Sequence, residues 1–408
     1  MFSGLLTLLR IGSGFIVAKV VAIQTGPSGM AMLGQLQSMI AALNGIVAAP
    51  VGNGLVRYTA EHDASGFDAC RPWWRACVRW LQFILLLTIP VVCFGAKGLA
   101  ALLFGEQKYA WVIVFVGLAL PLSALNTLLA SVVNGQQNFR RFISLNAISV
   151  LAATAVMLAL AYTRQLDGAL LAAAMFSGIS GVVMLLGTMR QPWFRLRLWF
   201  GSVDKSHFRA AGTYVAMAVV SALCVPTSLV LVRNILISTV GWTVAGQWQA
   251  VYKISEVYLG VITMALSTYY LPRLSTISGY HAIKAEIFSV SRIVMPIVSF
   301  LAIGIYVFRD VAIDLLFTEQ FRPARDLFAV QLIGDVVKIF SWLFAFPMLS
   351  RGAAKWFIGT EILFGISLPV LTWFFVGQYG VAGANMAYAA NYCLYFAFVW
   401  RALRYFAK

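Results

Sequence analysis

The sequence predicts an all-α, polytopic membrane protein with about twelve transmembrane helices in two related six-helix lobes around a central cavity. Of its 408 residues, 61% are hydrophobic and only 11% are charged, whereas soluble proteins are roughly 45–50% apolar and about 25% charged. Apolar runs of about twenty residues, the length that crosses roughly 30 Å of hydrocarbon, follow one another along the chain. Sequence motifs also recur in the second half at a nearly constant offset, which indicates a duplication.

Apolar segments of suitable length are marked off as predicted helices. They lie near residues 3–24, 30–53, 77–96, 110–133, 142–163, 167–189, 211–232, 242–270, 289–308, 326–349, 354–377 and 380–402. The sequence opens directly on the first of them without a small-residue cleavage site. We therefore expect this first helix to be retained.

The basic residues separate into alternate connections between these segments. Nineteen Lys and Arg residues, Arg273 among them, fall in one set of connections, and seven, Arg233 among them, fall in the other. Because cytoplasmic loops carry the excess of basic residues, this bias places both termini in the cytoplasm and requires an even number of spans. The formal net charge of +16 is attributed to these loops and to anionic lipid headgroups, so that the bilayer and not nucleic acid is the expected partner.

A polar segment divides the chain near its middle. The stretch from Met189 to Arg209 contains Pro192 and five basic residues, and it has no apolar run long enough to span a membrane. The predicted organisation is therefore an N-terminal lobe over residues 1–190, a cytoplasmic linker over 191–209 and a C-terminal lobe over 210–408.

Motifs of the first lobe recur in the second. A glycine and glutamine motif opens the second and eighth predicted helices, and a Leu-Leu-Phe motif precedes the fourth and tenth. The first motif is Gly29-x4-Gly34-Gln35-x-Gln37, and it recurs at an offset of 212 as Gly241-x4-Gly246-Gln247-x-Gln249. The second is Leu102-Leu103-Phe104-x-Glu106-Gln107, and it recurs at an offset of 213 as Leu315-Leu316-Phe317-x-Glu319-Gln320. Gly168 is matched with Gly380 at an offset of 212. Because six is even, the lobes share one topology, as in transporters built from parallel repeats around a central site.

Seven charged residues fall within the predicted spans, where each charge costs roughly 2.5–3.5 kcal/mol. They are Arg10, Lys19, Lys253, Glu256, Asp335, Lys338 and Glu361. Lys253 with Glu256, and Asp335 with Lys338, are spaced i,i+3 and are expected to neutralise one another. Such pairs either fasten the helix bundle or handle a substrate or an ion.

Polar and small residues form stripes along several apolar helices. In the eighth helix the stripe repeats every three or four positions from Gln249 to Ser267, and in the second helix it runs from Gly34 to Ala48. A stripe of this kind marks either close helix packing or a hydrated cavity. Glutamine and arginine are poor packing residues, which favours a cavity.

Arg10 is the strongest candidate for a cation in such a cavity. A guanidinium in low-dielectric surroundings binds a phosphate or pyrophosphate through two parallel hydrogen bonds. Asn53 and Arg57 follow the glycine-flanked end of the second helix. We expect them at the cytoplasmic mouth, where such a headgroup enters.

The sequence lacks the motifs of catalysis and of metal or cofactor binding. Its five cysteines and three histidines have no metal-ligand spacing, and it has no nucleotide-binding loop or hydrolase motif. No catalytic residue, metal site or cofactor is predicted, and the chain is not expected to be an enzyme.

Three further motifs are found in the sequence: one follows the first predicted helix, one follows the second, and one leads into the tenth. They are Gly26-Pro27-Ser28-Gly29, Gly52-Asn53-Gly54-Leu55-Val56-Arg57-Tyr58, and Phe321-x3-Arg325-Asp326-Leu327-Phe328 followed by Gly334-Asp335-x2-Lys338. Together they resemble the flippases of O-antigen and enterobacterial common antigen, within the multidrug/oligosaccharidyl-lipid/polysaccharide exporter (MOP) superfamily. The resemblance extends over the whole chain.

This resemblance implies two six-helix lobes whose rocking gives alternating access to a cavity lined mainly by helices one, two, seven and eight. It implies an undecaprenyl-pyrophosphate-linked oligosaccharide as substrate, moved from the cytoplasmic to the periplasmic leaflet of a bacterial inner membrane for surface polysaccharide synthesis. A polysaccharide polymerase and a chain-length regulator are the protein partners that it suggests.

Under this resemblance, Arg10, Arg57 and Lys253 are expected to attract the pyrophosphate. The amide side chains expected to contact sugar hydroxyls are those of Gln35, Gln37, Asn53, Gln247 and Gln249. The residues expected to carry a coupling proton or cation, or to pair within the membrane, are Glu256, Asp335, Lys338 and Glu361.

Other functions stay open from the sequence. A drug or cation antiporter of the same architecture predicts an acidic cavity, whereas the four basic and three acidic residues within the spans sum to plus one. A membrane glycan polymerase or ligase needs a large periplasmic loop, and the predicted outer loops do not exceed about twenty residues. A structural partner of such enzymes is the third alternative.

Overall fold

The computed structural model describes residues 2–205, 207–208 and 215–406, and this part of the chain is helical with no β-strand. For residues 2–5, 53, 216 and 217 only the backbone is described. The helices are α1 Phe2–Ala48, α2 Asn53–His62, α3 Phe67–Phe94, α4 Ala96–Phe104, α5 Ala110–Gly135, α6 Phe139–Thr188, α7 Leu196–Trp199, α8 Val215–Ala265, α9 Leu271–Thr276, α10 Tyr280–Val307, α11 Arg309–Leu316, α12 Phe328–Ser350, α13 Ala354–Tyr379 and α14 Ala382–Phe406. A π-helical turn, Leu266–Tyr270, joins α8 to α9.

Long helices dominate the described chain because a backbone in lipid must satisfy its own hydrogen bonds. Eight helical runs among the described residues are long and apolar enough to cross a membrane. The three longest, α1, α6 and α8, are each interrupted once by a residue with positive φ: Gly26, Gln165 and Gly241. Each interruption therefore divides one run into two segments. The chain is a multi-pass membrane protein, and the count of twelve spans stays a prediction.

The interruption of α1 has a clear chemical cause. Gly26 has a φ of 64°, which glycine adopts without a steric penalty. Pro27 follows and has no backbone N–H, so it fits the first turn of the segment that begins there. Gly241, with a φ of 85°, reverses α8 in the second half of the chain.

The duplicated turns show a different equivalence from the one predicted for Gly168. The turn in α6 lies at Gln165, and the matching turn between α13 and α14 lies at Gly380, with a φ of 57°. Gly168 and Gly383 then occupy equivalent positions, since a Cβ at either glycine would clash with the carbonyl group eight residues earlier. The match of Gly168 with Gly380 is therefore wrong.

The described chain forms two compact units, one of Met1–Gln24 with Gln35–Pro226 and the other of Thr25–Gly34 with Thr227–Lys408. The predicted division at residues 191–209 stays a prediction. The start of the predicted seventh helix, residues 211–214, lies outside the described residues.

The core of the first unit is built around Trp74 of α3, which has no exposed surface. It belongs to one apolar cluster with Leu55 of α2, Leu129 of α5 and Met184 of α6. The indole nitrogen of Trp74 donates a hydrogen bond of 3.0 Å to the hydroxyl oxygen of Thr59. This contact satisfies the polar end of a ring that is otherwise buried among apolar groups.

Part of the predicted linker packs on α3. The ring of Trp199 stacks on that of Trp74 at a centroid distance of 4.7 Å. The guanidinium of Arg75 donates to the backbone carbonyl of Arg197 at 2.5 Å. These contacts hold the α7 segment to the first unit.

Two helices begin well before their predicted positions. The structure starts α3 at Phe67 and α10 at Tyr280, whereas the apolar runs begin near residues 77 and 289. Hydropathy marks only the part of a helix that lies in hydrocarbon. The polar first turns of both helices extend beyond it.

Two glycines on α6 test the close packing of α6 against α5. A Cβ at Gly181 would overlap the backbone carbonyl of Leu122. A Cβ at Gly178 would lie 3.5 Å from the Cβ of Ala119, which is an ordinary contact. We expect Gly181→Ala to lower the free energy of unfolding by about 1–3 kcal/mol through overpacking. Thermal unfolding of the purified protein in detergent measures this, with Gly178→Ala as the matched control. Equal melting of the two variants would contradict the packing described.

Candidate functional site

Arg10 lies on the exposed side of the first segment of α1. Its guanidinium donates a hydrogen bond of 2.9 Å to the side-chain oxygen of Asn146 on α6. The amide nitrogen of Asn146 in turn donates to the carbonyl of Phe142 at 2.8 Å, which fixes the orientation of the amide. Because Asn146 is neutral, this contact orients Arg10 without forming an ion pair.

Arg57 has an acidic partner one helical turn away. Its Nε lies 2.7 Å from Oε1 of Glu61 on α2, and both side chains are exposed. An exposed i,i+4 pair is worth only a few tenths of a kcal/mol. Arg57 can therefore exchange Glu61 for another anion at little cost. The side chain of Asn53, predicted beside Arg57, lies outside the described residues.

The structure reveals a buried cation that the sequence interpretation missed. Arg233 was predicted in an outer connection, but it lies within α8 and its side chain is almost completely buried. Its Nε donates a hydrogen bond of 2.7 Å to Oε1 of Gln249, and its guanidinium lies 6.0 Å from the ring centre of Trp248. A Cβ at Gly34 would lie 2.7 Å from the Gln249 amide carbon. Only glycine at position 34 leaves room for this pair.

The four glutamines of the repeated motif have different environments. Gln35 and Gln249 are buried, and Gln249 is bonded to Arg233, so neither amide is accessible in this structure and their assignment as sugar contacts stays a prediction. Gln247 is partly exposed and donates a hydrogen bond of 2.9 Å to the carbonyl of Gln320. Gln37 is exposed. In each copy of the motif one glutamine is buried and the other is not, because residues two positions apart on a helix face different sides.

Lys253 and Glu256 form the direct pair that their spacing predicts. The ammonium nitrogen lies 2.7 Å from Oε2 of Glu256. The side chain of Lys253 is 27% exposed and that of Glu256 is 54% exposed. The carboxylate therefore remains accessible to a proton or a cation while the lysine is held against it.

Asp335 is fully buried and is held by polar neighbours. Its Oδ2 accepts from the hydroxyl of Tyr258 at 2.8 Å, and its Oδ1 accepts from that of Tyr388 at 2.9 Å. The side-chain amide of Gln331 donates to Oδ1 at 3.2 Å. Donors from α8, α12 and α14 thus satisfy one carboxyl group.

Lys338, one turn after Asp335, is surrounded by aromatic rings. Its ammonium lies 5.1, 5.6 and 5.2 Å from the ring centres of Trp342, Tyr388 and Tyr392. Among the described residues Asp335 and Lys338 form no direct ion pair, and their mutual neutralisation stays a prediction. Aromatic faces attract cations within about 6 Å, so the lysine is stabilised by rings and the carboxyl by hydroxyls.

Glu361 is the remaining acidic candidate and lies half-buried on α13. The neighbouring side chains of Ser367 and Asn391 are hydrogen-bonded to each other. Glu361 therefore lies on a helix that makes a polar contact with α14. In the part of the chain that the structure describes, no three metal-binding side chains come together.

Comparison with known proteins identifies relatives over the whole chain. Residues 75–326 match the model of a family described as polysaccharide biosynthesis protein. The lipid III flippases of Escherichia coli (strain K12) and Shigella flexneri are each 28% identical over 395 residues, which is 96% of this chain and 94% of theirs.

Solved structures show the same fold. An inward-facing multidrug resistance MATE family transporter of the MOP superfamily matches with a TM-score of 0.73 at 13% identity, over 98% of this chain and 94% of that one. The lipid II flippase MurJ in an inward closed conformation matches with a TM-score of 0.71 at 12% identity, over 99% and 86%. The fold class predicted from the sequence, a MOP-like helical membrane protein, is confirmed.

The buried Arg233–Gln249 bond predicts a difference between two glutamines of one motif. We expect Gln249→Leu to lower the free energy of unfolding by about 1.5–3 kcal/mol, because a buried guanidinium loses an acceptor. Gln247→Leu, which removes a donor to the carbonyl of Gln320 at a partly exposed position, serves as the control with a smaller loss. Thermal unfolding in detergent measures both. A control as destabilised as Gln249→Leu would contradict the special role of the buried pair.

Asp335 predicts a second stability difference. Asp335→Leu leaves the hydroxyls of Tyr258 and Tyr388 without their acceptor, and each such loss costs about 1–3 kcal/mol. Asp335→Asn keeps one acceptor oxygen and is expected to retain part of that stability. The comparison of their unfolding temperatures checks this order. If Asp335→Leu has the same unfolding temperature as the unchanged protein, the carboxyl does not hold the three helices together.

Proposed function

The chain belongs to the polysaccharide biosynthesis protein family, and we propose that it is a flippase that carries a lipid-linked oligosaccharide across a membrane by alternating access. The observation that carries this proposal is the similarity to lipid III flippases over 96% of the chain. The substrate class that we propose is an undecaprenyl-pyrophosphate-linked oligosaccharide repeat unit. The substrate is moved from the cytoplasmic to the periplasmic leaflet of a bacterial inner membrane. We propose that both termini of the protein lie in the cytoplasm.

Arg10 is the proposed primary contact of the pyrophosphate. Its only described side-chain partner is the neutral Asn146, so binding an anion does not require the loss of an ion pair. Two parallel hydrogen bonds to phosphate oxygens match the geometry of the guanidinium. Arg57, whose exposed pair with Glu61 is weak, captures the headgroup at the cytoplasmic face.

Lys253 is the second proposed pyrophosphate contact, and it links binding to the carboxylates. In the structure its ammonium is held by Glu256 at 2.7 Å. Neutralisation of Glu256 by a proton or a cation releases the lysine to a phosphate. Asp335 and Glu361 are the other groups that we propose for coupling, since carboxyls within membrane helices are characteristic of proton and ion pathways. Gln37 and Gln247, the accessible glutamines, are proposed as sugar contacts.

A deletion and complementation experiment tests this function. We expect loss of the gene to abolish surface glycan and to leave single repeat units on the lipid carrier at the cytoplasmic face. Complementation with Arg10→Ala is expected to lower export at least about tenfold, the effect of losing one strong charge-assisted contact. Surface polysaccharide and carrier-linked oligosaccharide are measured by gel analysis and mass spectrometry, with membrane levels of each variant checked by immunoblot.

Arg140→Ala is the matched control, because Arg140 is an exposed arginine at the start of α6. It should restore normal export. Normal export by Arg10→Ala would refute the assignment of the pyrophosphate contact. If the deletion leaves glycan unchanged and raises sensitivity to cationic drugs, the protein is an antiporter and the proposed function fails.

A further inference from the structure

A concave apolar groove lies in the second unit, away from the residues assigned to the oligosaccharide lipid. It has a volume of about 340 Å³ and is lined by the end of α8, the π-turn, α9 and α10. Ile262, Tyr269 and Arg273 belong to one wall, and Glu286, Val290 and Ile297 belong to the other. Apart from the Arg273 and Glu286 end, the lining is made of aliphatic and tyrosine side chains.

The walls of the groove extend far enough to accommodate a single hydrocarbon chain. Ile262 to Arg273 and Glu286 to Ile297 each span eleven positions, which is about 16 Å along a helix. The lining residues of each wall recur every three or four positions, so each helix contributes one continuous stripe. Most of a lipid-facing surface is convex, whereas this groove surrounds a chain on two sides.

The floor of the groove is rigid because it belongs to the core of the second unit. Tyr270 is 3% exposed, and its hydroxyl donates to the carbonyl of Leu343 at 2.9 Å. The neighbouring Tyr269 is 79% exposed and faces the groove. Both tyrosines border the groove, Tyr270 at its buried floor and Tyr269 at its exposed side, and both belong to the π-helical turn, a feature that is frequent at functional sites.

One end of the groove carries a cation and an anion side by side. The Nε of Arg273 lies 3.5 Å from Oε1 of Glu286, with side chains 61% and 21% exposed. Strong charge-assisted hydrogen bonds are about 2.7–2.9 Å long, so this pair is loose and both groups can take a further partner. The complement of such a pair is a zwitterion with an anionic phosphate and an ammonium that bears N–H donors.

We propose that this groove binds a phospholipid with a phosphoethanolamine headgroup. One acyl chain occupies the apolar groove, the phosphate binds Arg273, and the primary ammonium donates to Glu286. A phosphoglycerol headgroup has no cation for Glu286, and a phosphocholine headgroup has no N–H donor. Arg273 belongs to the predicted cytoplasmic set of basic residues, which places the lipid in the cytoplasmic leaflet.

Lipid binding to the purified full-length protein tests this site without any transport assay. The protein is delipidated in detergent and titrated with phosphatidylethanolamine, phosphatidylglycerol and phosphatidylcholine of identical acyl chains, and retained lipid is measured by native mass spectrometry. We expect phosphatidylethanolamine to bind at least about tenfold more tightly than phosphatidylcholine, the effect of one hydrogen bond to a charged group. Equal retention of the three lipids would overturn the proposal.

Variants separate the headgroup from the chain. Glu286→Gln should abolish the preference for phosphatidylethanolamine, Arg273→Ala should weaken all three phospholipids about tenfold, and Val290→Trp should fill the groove. Arg292→Ala, at an exposed position on the same helix outside the groove, should change nothing. If Val290→Trp fails to fold, the two headgroup variants decide the question.

The source of the bound lipid is tested by competition. Undecaprenyl phosphate should not displace phosphatidylethanolamine at equal concentration. Preferential binding of the polyprenyl phosphate would overturn the proposal and assign the groove to the carrier lipid. A preserved preference in Glu286→Gln, or an equal loss in Arg292→Ala, would also overturn it. These outcomes are independent of whether the chain moves an oligosaccharide, because no transport is measured.

Discussion

Charged groups buried within membrane helices must be compensated by the protein itself, and the second unit is organised around this requirement. An uncompensated charge costs roughly 2.5–3.5 kcal/mol at bilayer depth. Arg233 is met by Gln249, and Asp335 by two tyrosine hydroxyls and an amide. Lys338 is met by three aromatic rings. Because these partners come from α8, α12 and α14, the compensation fixes how those helices pack.

The duplication places equivalent residues against one another within this unit. The turn glycines Gly26 and Gly241 are 215 positions apart, and Ser28 and Thr243 share that offset while their hydroxyls lie 3.2 Å from each other. Gly34 has the same relation to Gln249, and the absence of a side chain at position 34 leaves room for the amide that binds Arg233. Close packing therefore explains the glycine at position 34, whereas a Cβ at Gly241 would meet no atom within 4 Å and the positive φ explains the glycine there.

The sequence could predict the fold class and most long helices because apolar length is a local property. It could also predict the pair of Lys253 with Glu256, since i,i+3 neighbours meet on any helix. It could not predict that tyrosines surround Asp335 and Lys338, because those tyrosines belong to two other helices, α8 and α14. Arg233 was misplaced because its charge was taken to end a helix. The contact of Arg233 with Gln249, sixteen residues further along the chain, is visible only in three dimensions.

The two units differ in how freely their cations can accept an anion. Arg10 is held by a neutral amide, so an incoming phosphate adds an ion pair without breaking one. Lys253 is already held by a carboxylate, so a phosphate must displace Glu256 or wait for its neutralisation. Charge-assisted bonds are about twice as strong as neutral ones, which makes this exchange the larger energetic step. Arg10 therefore offers an anion a contact that breaks no ion pair, whereas Lys253 offers one only when Glu256 is displaced or neutralised.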